Sequence, residues 1–325
     1  MAAVAASGRG SATRRLGTVL RRRVIQVVPT LLGVSLVTFI LVRLLPGGPV
    51  QTLVGVRATP ASIAAVSRQL GLSRPLVSQY FTYLGQLAHG NLGYSFLTGT
   101  SVTSIVASHL AVTAELIGLA VVLALIIGIP LATVSAYQRG AWQDQVIRAG
   151  TVATLGLPSF WVGILLVTYL GLRLRWFPSG GAGTGVVGTV DHLFLPALTL
   201  ALTFLAVVVR SLRASISEIL RADHVDAARL KGISRFRVFS RHVLRLASLP
   251  VVALVGLNMS YLLGTSVIVE NVFALPGMGQ ELVSSILQRD FLVVQGITLV
   301  FGLIVIVIST AVELIQAALD PRSAA

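Results

Sequence analysis

Six stretches of apolar residues, each long enough to cross a lipid bilayer, constrain this chain more than any other feature. They lie at about 24–45, 112–136, 150–172, 193–212, 249–269 and 293–316. A transmembrane helix needs roughly 20 mostly apolar residues. Only 11% of the residues are charged, against roughly a quarter in an ordinary soluble domain. We therefore expect an all-α integral membrane protein with six transmembrane helices.

The basic residues predict how these helices are oriented. With the N-terminus inside the cell, the segments on the cytosolic side hold 18 of the 25 Lys and Arg residues, and the other side holds 7. Cytosolic segments of membrane proteins carry such an excess. Topology and contact with membrane lipid thus account for most of the net charge of +14, and no nucleic-acid partner is expected.

The expected organisation follows from the spans and their orientation. It comprises a cytosolic tail at 1–22, a first transmembrane helix at 23–45, an external segment at 46–110, a core at 111–318 that contains the cytosolic loop 213–248, and a cytosolic tail at 319–325. The external segment has weakly amphipathic pieces separated by Gly, Pro and Ser. It predicts two or three short helices resting on the membrane face.

The centres of the six stretches contain no ionisable residue. A proton-coupled carrier usually keeps such a group at mid-membrane, so the energy for any transport is expected to come from elsewhere. Sodium held by backbone carbonyls would escape this argument. The chain also lacks the phosphate-binding loop of common nucleotide hydrolases, because its single lysine, Lys231, lies in "LKG".

Other signatures of catalysis are missing too. The sequence has no G-x-S-x-G elbow and no H-E-x-x-H motif, and it has no cysteine. His224 and His242 share one loop, but they lie 18 residues apart with no further ligand beside them. We therefore predict no catalytic residue, no metal site and no cofactor-binding site in this chain.

The polar run "ADHVDAARLKGISRFRVFSRH" at 222–242 predicts a helix, a turn and a second helix on the cytosolic face. Residues at helical spacing on one side of the first helix are Ile216, Ile219, Leu220, Ala227 and Leu230. Gly232 is expected to end that helix in the left-handed conformation, and Ser234 to cap the next. Residues on one face of the second helix are Phe236, Phe239, Val243 and Leu246, and Pro250 is expected to open the next span.

Such an element suits docking to another protein, and the small Ala227 and Ala228 would let a partner surface come close. An alternative of about equal weight is that its arginines only satisfy topology and contact anionic lipid. A DNA-binding helix-turn-helix domain is far less compatible with this loop, because both ends of the loop are tethered to membrane helices.

The fifth stretch carries two neighbouring stripes. Gly256, Ser260 and Gly264 are typical of close helix packing. Asn258, Tyr261 and Thr265 follow at i, i+3 and i+7 and are candidates for lining a translocation pathway. Hydrogen bonds between helices explain the polar stripe equally well.

"DAARLKG" resembles the coupling loop of ATP-binding-cassette importer permeases, in the variant of the dipeptide, oligopeptide and nickel group. Further motifs occur in the order that this group shows: "LGLSRPLVSQY", "GNLGYSF", "RGAWQDQ", "LPSFW", "LPALTLAL", "RHVLRLASLP", "VENVFALPGMGQELVSSILQRDFLVVQG" and "LDPR". Asp226 stands where the general motif has Glu, which keeps the charge. Gly48 and Asn91 stand at external positions where the group commonly has Asp.

The resemblance implies the type-1 importer permease fold (MetI-like), with an external helical segment between helices 1 and 2. It also implies that Asp226, Ala227, Ala228 and Gly232 dock to a separate ATPase subunit, which would use ATP and Mg. Expected partners are a second homologous permease, two ATPases and an external solute-binding protein. The implied role is to form half of a pathway for peptides across the bacterial cytoplasmic membrane.

Two other functions remain open at this point. An ion-coupled secondary carrier would transport without ATPases, although the uncharged span centres argue against it. A membrane scaffold without transport activity could use the external amphipathic segment as its binding surface.

Overall fold

The described part of the chain is almost wholly helical. The computed structural model describes residues 27–44, 59, 61, 64, 67–68 and 73–319. Its helices are α1 Val27–Leu44, α2 Leu76–Ala88, α3 Val102–Tyr137, α4 Trp142–Gly156, α5 Ser159–Leu166, α6 Gly185–Ile219, α7 Asp223–Leu230, α8 Arg235–Val238, α9 Arg245–Leu257, α10 Met259–Val272, α11 Met278–Leu287 and α12 Phe291–Leu319. Two π-helical segments, Val167–Arg173 and Phe239–Leu244, follow α5 and α8.

The number of membrane-spanning helices agrees with the sequence. Among the described residues, five helices are long and apolar enough to cross a membrane, and a sixth span results if one bent pair counts as a single span. The predicted all-α membrane architecture is confirmed. The tails and most of the segment 45–72 lie outside the described residues, so the predicted boundaries there stay predictions.

The third span is bent, although the sequence predicted one helix over 150–172. Trp142–Gly156 and Ser159–Arg173 meet at an angle of 103°. Pro158 causes the break, because a residue that precedes proline is pushed out of the helical conformation. Leu157 accordingly has an extended backbone, with φ −93° and ψ 127°.

The fifth span also differs from its predicted limits of 249–269. The helix that is long and apolar enough to cross a membrane runs over Phe236–Leu257. Helix α10 begins after a break at Asn258, whose φ is −91° and ψ is 3°. Contrary to the expectation from the sequence, Pro250 does not begin the span but lies inside α9. The helix starts early because the polar residues before Pro250 remain helical through the π-helical segment.

The chain forms two compact units, and the larger one comprises Ala114–Leu275 with the chain end from Ile308. Its core is α6. Of the 18 most apolar consecutive residues of α6, 72% are buried, against 22–33% in the other four spans that consist of a single helix. Gly128 of α3 lets this core close tightly, since a Cβ there would lie 2.9 Å from Val208 Cγ1. Helix α6 thus packs against protein, while the other spans leave most of their surface open.

The smaller unit comprises Thr18–Thr113 and Pro276–Val307. Its buried cluster consists of Val102, Val106, Met278, Val293 and Ile297. Polar contacts fix the loop before α3 to the start of α12. The Ser95 hydroxyl donates to the buried carboxylate of Asp290, and the Phe96 N–H donates to the same carboxylate at 3.3 Å.

The helices pack tightly at one of the two glycines in the small-residue stripe of the fifth span. A Cβ on Gly256 would lie 2.7 Å from Cγ1 of Val312, whereas Gly264 has open space around it. Valine is stiff at χ1, so the helices must move apart to admit a methyl group at position 256.

We expect Gly256→Ala to lower the free energy of unfolding by about 1–3 kcal/mol, the usual cost of overpacking. Gly264→Ala is the matched control and should be neutral or slightly stabilising. Thermal unfolding of both purified variants in detergent measures the difference. Equal unfolding temperatures for the two variants would contradict the tight contact.

Candidate functional site

The cytosolic loop predicted at 213–248 folds as a short helix and a turn, followed by a second helix. Helix α6 ends at Ile219, and a turn follows in which the Arg221 and Ala222 N–H groups donate to Glu218 and Ile219. The predicted continuous apolar side from Ile216 to Leu230 is therefore wrong, because the turn resets the helical phase. In α7 the buried residues are Val225 and Ala228.

Gly232 ends α7 as the sequence predicted. Its φ is +73°, a conformation that side chains with a Cβ rarely adopt. The Ile233 N–H donates to the Ala228 carbonyl at 3.3 Å, which is the long closing bond of a Schellman turn. The turn fixes the direction in which the chain leaves α7.

The second helix buries a different face from the predicted one. Phe236 is 80% exposed, although it was expected to share a face with Val243. The buried residues are Val238, Val243, Ala247 and Val251, at spacings of five, four and four. The π-helical segment Phe239–Leu244 explains the spacing of five, because a π-turn adds one residue to a helical turn.

The predicted docking residues divide between two sides of α7 and its turn. Asp226, Ala227 and Gly232 are exposed, and Ala228 is buried beneath them. Leu230 and Phe236 are exposed on the same segment, at 89% and 80%. We name Asp226, Ala227, Leu230, Gly232 and Phe236 the docking surface, after the role that the sequence predicts for three of them. The sequence missed Leu230 and Phe236 as surface residues because their apolar side chains fitted a buried face.

A buried ion pair holds together the ends of helices that precede the docking surface. Asp144 of α4 is 1% exposed, and its carboxylate accepts bonds from Arg213 Nε at 2.8 Å and Arg213 Nη2 at 2.7 Å. The Ser135 hydroxyl donates to it at 2.5 Å, and the Gly140 N–H at 3.0 Å. A two-pronged arginine contact of this kind fixes geometry as well as charge.

This ion pair links the ends of three helices. Ser135 lies near the end of α3, Asp144 near the start of α4, and Arg213 about 9 Å along the axis from the end of α6, at 1.5 Å per residue. The Tyr137 ring lies 6.2 Å from that of Phe239 in the π-helical segment. The sequence placed Asp144 only in a motif, "RGAWQDQ", and gave no signal for its distant partner.

The candidate pathway residues do not form one continuous lining. Tyr261 is 54% exposed, but Thr265 is buried, and its hydroxyl donates to the Tyr261 carbonyl at 2.8 Å. Asn258 lies at the break between α9 and α10, and its amide donates to the Leu254 carbonyl at 2.9 Å. The exposed residues of this region follow helical spacing instead: Leu257, Ser260, Tyr261, Gly264 and Ile268.

Comparison with protein families gives two adjoining matches. Residues 124–324 match the family "Binding-protein-dependent transport system inner membrane component". Residues 16–117 match the N-terminal family of the same membrane components. Together the two matches cover nearly the whole chain.

Individual relatives align over almost their full length. A protein of Brucella suis biovar 1, named as a peptide transport system permease, is 37% identical over 304 residues, which are 93% of this chain and 97% of the relative. The glutathione transport system permease protein GsiC of Escherichia coli O6:H1 is 36% identical over 300 residues, 92% of this chain and 96% of the relative.

A solved structure shares the fold. An inward-facing form of the MetNI methionine ABC transporter aligns with a TM-score of 0.56 at 15% identity, covering 66% of this chain and 96% of the other. At this identity the likeness supports the fold alone. It agrees with the type-1 importer permease architecture that the sequence motifs implied.

Removing the arginine of the ion pair should be costly. In Arg213→Gln, Asp144 remains buried without its cation, and breaking a buried pair in this way costs about 3–5 kcal/mol. The double variant Asp144→Asn/Arg213→Gln should lose less than the sum of the two single variants. Thermal unfolding of the purified protein measures these losses.

Arg210→Gln provides the control, because Arg210 lies on the same helix and is exposed. It should unfold close to the unaltered protein. If Arg213→Gln unfolded at the same temperature as Arg210→Gln, the ion pair would contribute nothing to the fold.

Proposed function

Because this chain belongs to the family of binding-protein-dependent transport system inner membrane components, we propose that it is a permease subunit of an ATP-driven peptide importer. It forms half of the pathway, and a second homologous permease forms the other half. Its spans cross the bacterial inner membrane with both termini in the cytosol. An external solute-binding protein delivers the peptide.

The docking surface is the observation that carries this proposal. Leu230 and Phe236 are large, apolar and 89% and 80% exposed, Leu230 on α7 and Phe236 at the start of the apolar span that follows. Exposed apolar patches of this kind mark sites of interaction, and a helix that offers an apolar side fits a groove in a partner. The partner is an ATPase subunit, which supplies the ATP and Mg²⁺ chemistry.

Each predicted docking residue has a distinct role in this arrangement. Asp226 offers a carboxylate at the exposed side of α7, and Ala227 allows close approach. Ala228 packs inward and holds the helix against its own unit. Gly232, through its positive φ, sets the direction in which the chain turns towards Phe236.

The ion pair between Asp144 and Arg213 transmits movement of the docking surface to the membrane helices. When two ATPases close on ATP, the loop that follows α6 is displaced. Arg213 lies on α6 and is bonded to α4 directly and to α3 through Ser135. The three helix ends therefore move together, and they do not slide past one another.

The exposed stripe on α10 faces the second permease and the pathway. Tyr261 is the predicted pathway residue that remains open to a passing solute. Asn258 and Thr265 support Tyr261 and do not contact the solute, because their polar groups donate hydrogen bonds to backbone carbonyls of α9 and α10. The solute is a peptide, in keeping with relatives named for transport of peptides and of the tripeptide glutathione.

Co-purification tests the proposed assembly. The tagged chain, isolated from its own membranes in mild detergent, should bring a second six-span permease and chains that contain the phosphate-binding loop G-x-x-x-x-G-K-[ST]. Recovery of the chain alone, in a preparation that still transports, would favour the ion-coupled carrier instead.

A charge placed on the docking surface should detach the ATPase. Leu230→Asp adds a carboxylate at a residue that is 89% exposed, so the chain should fold normally while the apolar groove rejects it. We expect much less ATPase to co-purify. Leu287→Asp is the matched control, because Leu287 is 79% exposed on α11 and outside the docking surface. Equal ATPase recovery from both variants would contradict the assignment of this surface.

The turn after α7 should be as important for uptake as the exposed side chains beside it. Gly232→Pro forces φ to about −65° where the chain needs +73°, so uptake should be lost while the protein still reaches the membrane. Gly232→Asn should retain uptake, because asparagine tolerates the left-handed conformation. Uptake of a labelled dipeptide, divided by membrane abundance, measures both. Normal uptake by Gly232→Pro would exclude a coupling role for this turn.

A further inference from the structure

Helix α2, in the segment between the first two spans, is bonded along one side to α1. Arg43 near the end of α1 donates from Nε and Nη2 to the Gln79 side chain at 3.1 and 2.8 Å. Tyr80 and Tyr83 place their rings 5.1 and 5.8 Å from that of Phe39. These contacts come from one turn of α2 and reach two successive turns of α1, so they hold the first half of α2 against this helix.

One further contact reaches the centre of the span. The hydroxyls of Tyr80 and Ser35 lie 2.8 Å apart, and the Tyr80 hydroxyl donates to the Leu32 carbonyl at 3.1 Å. The 18 described residues of α1 span about 27 Å at 1.5 Å per residue, close to the roughly 30 Å of a bilayer's hydrocarbon core. Ser35 is a central residue of this helix, so the Tyr80 hydroxyl lies near mid-membrane.

Two large apolar residues are exposed on the side of α2 turned away from Tyr80 and Tyr83. Val77 and Phe81 lie one helical turn apart and are 67% and 65% exposed. The Thr82 hydroxyl beside them donates to the Ser78 carbonyl at 2.9 Å, so it needs no water molecule as an acceptor. Acyl chains would cover Val77 and Phe81 without the unfavourable hydration that water imposes on apolar surface.

We propose that α2 is embedded in the outer half of the bilayer and that Val77 and Phe81 form a contact surface for lipid acyl chains. This position is deeper than the membrane-face location expected from the sequence. Arg43 then lies at the level of the lipid headgroups, where a long cationic side chain can reach water. The proposal is independent of the transported solute and of the ATPases.

The absence of cysteine from the sequence allows single labels to test this position. Phe81→Cys, in the full chain with its accompanying subunits, is labelled with a fluorescent maleimide and reconstituted into phosphatidylcholine vesicles. Quenching by lipids brominated on the acyl chain is compared with quenching by aqueous iodide. Val37→Cys, on the exposed side of α1, is the membrane control, and Thr100→Cys, in the loop before α3, is the aqueous control.

We expect the label at position 81 to be quenched several-fold more by brominated lipid than the label at position 100, and to match the label at position 37. Strong quenching by iodide would place α2 in water and overturn the proposal. Protection from both quenchers would show that a protein partner covers this side, which would also overturn it. Val77→Cys replaces Phe81→Cys if the latter does not accumulate, and it must give the same result.

Discussion

The absence of water from the bilayer interior determines most of this structure, because every backbone N–H and C=O group there must find a partner within the protein. The chain meets this requirement with long helices. Where a helix breaks, the local geometry limits the cost: Pro158 has no N–H to leave unpaired, and Asn258 donates its backbone N–H to Leu254 at 2.9 Å and accepts from Leu262 at the same distance. At both positions the break leaves no N–H group of the residue itself unpaired.

Within that constraint, one buried charge pair organises the end of the larger unit that carries the docking surface. A carboxylate as buried as Asp144 is unfavourable unless it is fully bonded, and here Arg213, Ser135 and Gly140 supply four hydrogen bonds. Apolar side chains in the same place could pack in several registers. A two-pronged ion pair has one geometry, so it favours one fixed arrangement of these helix ends, as the proposed transmission of movement requires.

The sequence predicted the helical membrane fold, the number of spans and the end of α7 at Gly232. These features depend on local signals: long apolar stretches, and a glycine at a position that needs a positive φ. It did not predict the π-helical segment at Phe239 or the pairing of Asp144 with Arg213. Pro158 is the local cause of the bend at Leu157, whereas the ion pair joins residues 69 positions apart, which no periodic pattern indicates.

The largest errors concern apolar residues on the surface, and they share one physical cause. In a soluble monomer an apolar residue at helical spacing usually marks the core. In this protein such a residue occurs in three environments. Val243 is buried in its own unit, Val37 is exposed on a membrane helix, and Leu230 is exposed on the loop between spans. All three have the same chemistry, so periodicity cannot separate them. What separates them is position relative to the bilayer and to the fold, and on that basis we propose a protein partner for the exposed Leu230 and lipid for the exposed Phe81 on α2.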